Sequence, residues 1–348
     1  MRMLDRFNLQ LPIIQAPMAG VSTPMLAAAV SDAGGLGSIG VGATDASNAR
    51  SMVAEIRAAT TRAFNVNVFV HKSPQPDSER ESAWLATLAP MFRKFEVAPP
   101  KVLRVIYKSF LEDEDMLRAL IDLRPAMVSF HFGIPSAEQT AALRQAGCFL
   151  VATATSLDEA QAARRAGMDA VVAQGYEAGG HRGMFDPNTP DDCLGTLPLT
   201  RLLVRHSGLP VIAAGGIMDG QGIRAVLDMG AVAAQLGTAF IACPESSADT
   251  AYRTALFSPA AQHTIMTRAI SGRPARCLRN DFTDFGQETQ RIPPEYPTAY
   301  DAGKALNAGA KTAAHGGFGA QWAGQGAPLA RALPAAELIA ELAREMRT

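Results

Sequence analysis

The chain has 348 residues, 48% hydrophobic and 19% charged, with 32 Lys and Arg against 33 Asp and Glu. That length admits one α/β barrel or two ordinary domains and is enough to bury a sizeable core. The balanced charge excludes the basic face on which nucleic-acid binding relies, so a small-molecule partner is expected.

Short apolar runs alternate with helical patterns along the chain, the sequence form of parallel βαβ construction. Residues 12–16 (PIIQA) are the first run, followed by a predicted helix over 24–33 that Ser22 or Thr23 can cap and Pro24 can start. Residues 36–41 are the second run, Asp45 or Ser47 opens a helix to 59, and 64–70 (FNVNVFV) alternates as a third strand. Residues 102–106 are ambiguous between the two patterns. Strands four and five, 127–131 and 149–153, flank a helix at 136–146, and the sixth, 170–173, follows a helix at 157–166. Residues 210–214 and 231–236 complete eight runs, with helices near 199–206 and 220–229. Eight β/α units in roughly 240 residues predict an α/β fold of the (β/α)8 TIM-barrel type rather than an open sheet.

Two stretches break this rhythm. One is 73–123, a crossover rich in Pro, Arg and Glu, whose charges read as a solvated face and whose remainder could shape a pocket or an oligomer contact. The other, 243–317, has the length of a small α-helical cap inserted after strand eight. The expected division is a barrel over 1–242, a cap over 243–317 and a C-terminal segment over 318–348, ending in an amphipathic helix at 334–346 that closes the barrel. Cys148, Cys193, Cys243 and Cys277 are too scattered for a disulfide framework or a zinc site. Residues 1–10 lack a signal-peptide core and no apolar run approaches the ~20 residues of a membrane span, so a soluble cytoplasmic protein without a membrane partner is expected.

Function in a barrel collects at the carboxyl ends of the strands. Gly215-Gly216 ahead of a helix, and Gly237-Thr238 at the next strand end, offer bare amides to an anion beside the positive end of a helix dipole. The structural alternative is that these glycines only relieve crowding at tight turns. Gly35-Leu36-Gly37-Ser38-Ile39-Gly40 spells a dinucleotide fingerprint but follows a helix instead of joining a strand to one. Gly34 and Gly35 read better as a left-handed helix end. His181, in a loop of nearly pure glycine and alanine, is the best catalytic candidate, with Arg182 beside it as a second positive group. His131 and His71 also end strands, where a packed rim histidine is the commoner role. No metal-ligand spacing occurs, so no metal is expected.

Taken together, Ile14-Gln15-Ala16-Pro17-Met18-Ala19-Gly20, Ala33-Gly34-Gly35-Leu36-Gly37, Asn67-Val68-Phe69-Val70, Gly179-Gly180-His181, Ala214-Gly215-Gly216-Ile217 and Gln235-Leu236-Gly237-Thr238 resemble the nitronate monooxygenase family, formerly 2-nitropropane dioxygenase. The resemblance runs from about residue 12 to Trp322-Ala323-Gly324-Gln325. It implies non-covalent FMN at the barrel mouth, with Asn67 and Gln174 on the polar edge of the flavin and Pro17 and Met18 beside its ring. Gly179, Gly180, Gly215, Gly216, Gln235, Leu236, Gly237 and Thr238 would hold the ribityl chain and phosphate, and His181 would be the active-site histidine. Val128-Ser129-Phe130-His131-Phe132-Gly133 and the triplet Tyr296, Tyr300, Lys304 resemble the class that oxidises nitronates, so His131 and the triplet are expected at the substrate. Spaced by four, the triplet would share one helix face. The implied activity is oxidation of alkyl nitronates, typically propionate 3-nitronate, with O₂ to a carbonyl compound and nitrite. His181 and Lys304 would hold the nitro-group charge, and His181 would be the base for a neutral nitroalkane. An FMN-dependent NAD(P)H:quinone or enoyl-thioester reductase on the same scaffold is the alternative. Monomer and homodimer both stay open.

Overall fold

The structure is a computed structural model describing residues 3–289 and 291–347. Residues 1, 2 and 348 of the expected end segments, and residue 290 of the cap, lie outside it.

Eight parallel strands form the barrel in the order expected. They are β1 (Ile13–Gln15), β2 (Gly37–Gly40), β3 (Phe64–Phe69), β4 (Met127–His131), β5 (Phe149–Ala154), β6 (Ala170–Gln174), β8 (Val211–Ala214) and β9 (Ala233–Leu236). β9 pairs with β1, and a parallel bridge between Ile14 and Leu36 brings β1 to β2 and all but closes the ring. The remaining strand of this stretch, β7 (Gly180–His181), belongs to a second sheet.

Local chemistry explains the helix starts. Thr23 rather than Ser22 caps α2 (Pro24–Asp32), accepting from the Leu26 amide, and Gly34 at φ +95° ends that helix region. Asp45 caps α3 (Ala46–Ala59), and Ser136 with Gln139 builds a capping box on α6 (Ala137–Gln145). The short α1 (Met3–Phe7) plugs the barrel floor, where the Phe7 ring meets Phe149 edge-on at 5.3 Å. α7 (Leu157–Arg165), α8 (Thr196–His206) and α9 (Gly220–Asp228) follow β5, β6 and β8, and α14 (Ala335–Glu345) packs on α2 and α9 as the closing helix.

The barrel interior is layered. Its floor is apolar, built from Ile14, Leu36, Met127, Phe149, Val151, Val172 and Ile212. Towards the mouth it turns polar. The alternation of β3 sends Asn65 and Asn67 inward and Val66 and Val68 out against the helices.

The 73–123 stretch holds α4 (Ser78–Lys94) and α5 (Glu114–Leu123). Glu79, Arg93 and Lys94 are exposed as the solvated-face reading requires, but Trp84, Leu88 and Phe92 are buried against the segment after strand eight. That segment contains more than helices. Beside α10 (Thr238–Ile241), α11 (Thr250–Leu256), α12 (Asp281–Glu288) and α13 (Thr298–Thr312), it forms an antiparallel ribbon of β10 (Thr264–Thr267) and β11 (Ala275–Leu278). β11 pairs in turn with β7, with Ala275 opposite His181.

One glycine of the false dinucleotide fingerprint has a clear packing reason. A Cβ on Gly37 would land on the Ala27 carbonyl of α2. Gly37→Ala should therefore lower the urea-unfolding free energy by about 2 kcal/mol or more, within or above the usual cost of overpacking, without touching the barrel mouth; an unchanged midpoint would remove this contact from the account.

Candidate active site

The carboxyl ends of the strands surround an open cavity lined by both polar and apolar groups, the usual form of a small-molecule site. Of the residues expected there, Pro17, Met18, Asn67, His131, Gln174, Gly179, Gly180, His181, Gly215, Gly216, Gln235, Gly237, Thr238, Tyr296 and Tyr300 all line it. Leu236 does not: its side chain points into the core with Ile13, Val30 and Phe240, because it lies on the opposite face of β9 from Gln235. Lys304 lies outside as well. It belongs to a neighbouring outer depression, its Nζ 4.9 Å from the ring centre of Tyr107 and 5.5 Å from that of Tyr300.

The triplet does not share a helix face. Tyr296 precedes Pro297, where helical backbone is disfavoured, and α13 begins only at Thr298. Tyr300 and Lys304 are on the helix, and Tyr296 reaches the cavity from the preceding loop, its ring 5.3 Å from that of His181.

His181 sits in an aromatic cage. Phe132, Tyr296, Tyr300 and Trp322 approach its ring at 5.6, 5.3, 6.1 and 5.1 Å. Its backbone carbonyl accepts from His131 Nε2 and Gln174 Nε2, both at 3.0 Å, and its own Nε2 lies 2.8 Å from Ser271 Oγ in the loop between β10 and β11. The glycine-rich loop is thus held by barrel and cap together. Gln174 Oε1 accepts from the Gly183 amide at 2.7 Å, so most of the Gln174 amide serves this loop and one N–H remains for a ligand.

Arg182 faces the other way. It is buried, its Nε and Nη2 bonded to Asp191 at 2.8 and 3.0 Å and its Nη1 to the Gln174 carbonyl, so it presents nothing to a bound anion. The buried cation behind the site is Arg273, which sequence reading missed. Its Cζ stands 4.3 Å over the Phe132 ring, and its Nη2 donates to the Met184 and Phe185 carbonyls. Trp322 and Ser129 come with motifs of the resemblance without having been assigned a role, whereas Tyr107 and Ser271 are further cavity or support residues that no motif announced; Gly272, at φ +90° beside Ser271, was the only signal.

Burial and the positive field of Arg273 keep the histidines neutral. His71 and His131 are pushed down to about 4, and His181 well below its ordinary 6.5, with His131, Arg273 and His71 adding to the effect of burial. The phenols of Tyr107, Tyr296 and Tyr300 are pushed up by burial and stay protonated. Among the described residues the cavity lining contains no carboxylate and no Lys or Arg.

The glycines divide by cause. Gly215 at φ +125° and Gly216 at φ +66° need backbone that other residues avoid, and a Cβ on Gly179 would strike the Ala323–Gly324 backbone. Gly237 has an ordinary backbone at φ −108°, and a Cβ there would meet only Ala16 and Met18 at 3.5 and 3.7 Å. Nothing in the fold demands glycine at 237, so the bare backbone faces the cavity. The helix-dipole expectation needs correcting at α9, whose N-terminus is taken by Asp219 on Gly222 and by Glu345 on Gly220. The uncapped start is that of α10, directly after Gly237.

The chain is similar to known proteins over nearly its whole length. A sequence model of the family described as nitronate monooxygenase matches residues 1–345. The chain is 58% identical over 346 residues to the nitronate monooxygenase of Paraburkholderia phytofirmans, covering 99% of this chain and 94% of the other. It is 53% identical over 351 residues to that of Pseudomonas aeruginosa, covering 99% and 100%. The solved structure of the nitroalkane oxidase from Streptomyces ansochromogenes matches with a TM-score of 0.90 at 41% identity, covering 99% and 98%.

The neutral histidines make a stability prediction. Unfolding releases His71, His131 and His181 to their ordinary range, so each takes up a proton on unfolding below pH 6.5. Stability should be level above pH 6.5 and fall as pH drops towards 4, by up to about 1.4 kcal/mol per pH unit for each histidine. Urea titrations of the wild type and His71→Phe check this; the variant should show the shallower acid slope, and equal slopes would remove His71 from the effect.

Proposed function

The chain belongs to the nitronate monooxygenase family of oxidoreductases, and on that premise we propose that it uses FMN to oxidise alkyl nitronates, propionate 3-nitronate among them. The co-substrate is O₂, and the products are a carbonyl compound and nitrite. The observation that carries this reading is the pairing, in one carboxylate-free cavity, of a bare-backbone cradle at β8 and β9 with a neutral, caged histidine.

The residues present fit FMN. Gly215, Gly216, Gly237 and the Thr238 hydroxyl would hold the phosphate, at the strand ends where barrels commonly bind one. Asn67 spends its Nδ2 on the Ser129 carbonyl and hydroxyl at 3.1 and 3.0 Å, which leaves Oδ1 to accept an N–H of the flavin edge. Pro17 and Met18 would pack beside the ring. When bound, FMN supplies the electron acceptor that the side chains lack.

A nitronate is already a carbanion equivalent, so the protein need only bind an anion and exclude water. The aromatic cage keeps water out, and the buried Arg273 guanidinium provides positive potential with no opposing carboxylate in the lining. His181, being neutral, does not hold the nitro-group charge as a cation. It serves instead as a base for a neutral nitroalkane, taking the proton from the carbon that bears the nitro group.

Purified enzyme should be yellow. Under anaerobic conditions propionate 3-nitronate should change the flavin absorbance while NADH and NADPH leave it unaltered; rapid bleaching by the nicotinamide alone would give the reductase reading the better claim. His181→Asn should retain FMN and lower kcat/KM for nitroethane by about 10²- to 10⁴-fold, the usual worth of a positioned base, with a smaller loss on ethylnitronate. Gly237→Ala should weaken FMN binding at least about tenfold, measured by fluorescence titration, with the melting temperature of the apoprotein unchanged, because a Cβ at 237 meets only Ala16 and Met18 at ordinary contact distances.

A further inference from the structure

Ser271 has no role in the reading above, yet it is fully buried and its Oγ is the only side-chain group hydrogen-bonded to the His181 ring among the described residues. It has two partners, His181 Nε2 at 2.8 Å and the Arg273 carbonyl at 3.3 Å. A serine hydroxyl carries one proton, so it donates to one of these and accepts from the other. Among the described residues no other donor reaches the Arg273 carbonyl, and leaving a buried carbonyl unpaired is costly. His181 Nε2 can act as donor or acceptor. The accounting closes only if the hydroxyl proton goes to Arg273 and the Nε2 proton of His181 goes to the hydroxyl. The other ring nitrogen, Nδ1, has no partner among the described residues, and the ring lines the cavity.

We propose that Ser271 is a positioning residue that holds His181 as the Nε2–H tautomer, leaving the lone pair of Nδ1 as the proton acceptor in the cavity. The hairpin that carries Ser271 also fixes the backbone of the same residue. Ala275 pairs with His181 across β11 and β7, and the Arg182 amide donates to the Pro274 carbonyl at 2.8 Å. Ring and main chain are set by one element, so the tautomer is coupled to the seating of the cap. The charged and titratable groups facing the ring are His131 from β4, Arg273 from the hairpin, His71 from beyond β3, and Tyr296 and Tyr300 from the cap.

The inference rests on His181 acting as the base proposed above. In the reaction with a neutral nitroalkane the C–H bond breaks, its electron pair moves onto the nitro group to give the nitronate, and the proton goes to Nδ1. No further reactant is needed for that step. A hydroxyl that fixes tautomer contributes as an orienting group does in other base-assisted sites, where the wrong tautomer removes most of the rate.

The test uses flavin-loaded wild type, Ser271→Ala and Ser271→Thr, labelled with ¹⁵N-histidine. The wild type should show His181 protonated at Nε2 and bare at Nδ1 at pH 8; a proton on Nδ1 overturns the proposal. Ser271→Ala should show mixed tautomers and lower kcat on nitroethane by about 10- to 100-fold, with the acid limb of its pH profile displaced, while Ser271→Thr restores both. An alanine variant with wild-type nitrogen shifts and pH profile overturns it equally. If the alanine variant does not fold, the wild-type spectrum and the threonine variant decide, since the latter must keep the Nε2–H form. The nitrogen shifts need no turnover. A wild type inactive on nitroalkane and nitronate alike would sink the functional reading and still leave the tautomer answered.

Discussion

A strand of two residues, Gly180–His181, joins the barrel of this protein to the segment that covers it. Short as it is, the pairing is reinforced on every side. His131 and Gln174 donate to the His181 carbonyl, Gly179 lies against the backbone of Ala323 and Gly324, and the Gln325 amide donates to the Glu177 carbonyl at 2.9 Å. A loop of glycine and alanine would by itself be mobile, since such residues lose much freedom on ordering. Here the ordering is offset by hydrogen bonds from β4, β6, β11 and the C-terminal segment together. His181 is therefore placed by the assembly and not by its neighbours in the chain.

The same assembly sets the charge state of the site. His71, His131, His181 and Arg273 crowd within one aromatic cluster, and burial, with the guanidinium's positive field adding to it, leaves the imidazoles neutral. Arg273 itself is lowered to about 10 by burial and stays charged. One buried positive charge without a carboxylate in the cavity lining suits a small anion better than a sheet of exposed lysines would, because low dielectric strengthens the interaction. Histidines held neutral by burial are expected to take up protons on unfolding, so the features proposed to favour an anion should also lower the stability of the fold at low pH.

The cradle at β8 and β9 separates two uses of glycine that look identical in sequence. Gly215 and Gly216 are required by backbone angles, whereas Gly237 is required by nothing within the protein. Only the second kind points to a ligand. The distinction depends on where a Cβ would fall, which is a property of neighbours distant in sequence.

Much was legible in the chain itself. The eight apolar runs, the capping residues Thr23 and Asp45 as one of two candidates each, the alternation of Asn65 and Asn67 with valines, and the glycine pairs at the strand ends are all consequences of local periodicity and backbone preference. These determined a parallel barrel and the end of it at which its cavity opens. The family motifs supplied His181 and most of the cavity lining. What the chain could not show by itself is direction. Arg182 stands next to His181 yet turns to Asp191, Leu236 lies between two lining residues yet joins the core, Tyr296 leaves the helix face it was expected to share, and Lys304 lies outside the cavity. Arg273 and Ser271, some 90 residues from His181, became its partners only because a ribbon in the cap pairs with a loop of the barrel. Local sequence specifies hydrogen-bonding and packing preferences over a few residues, whereas charge state, tautomer and orientation arise from groups that only the folded chain brings within a few ångströms.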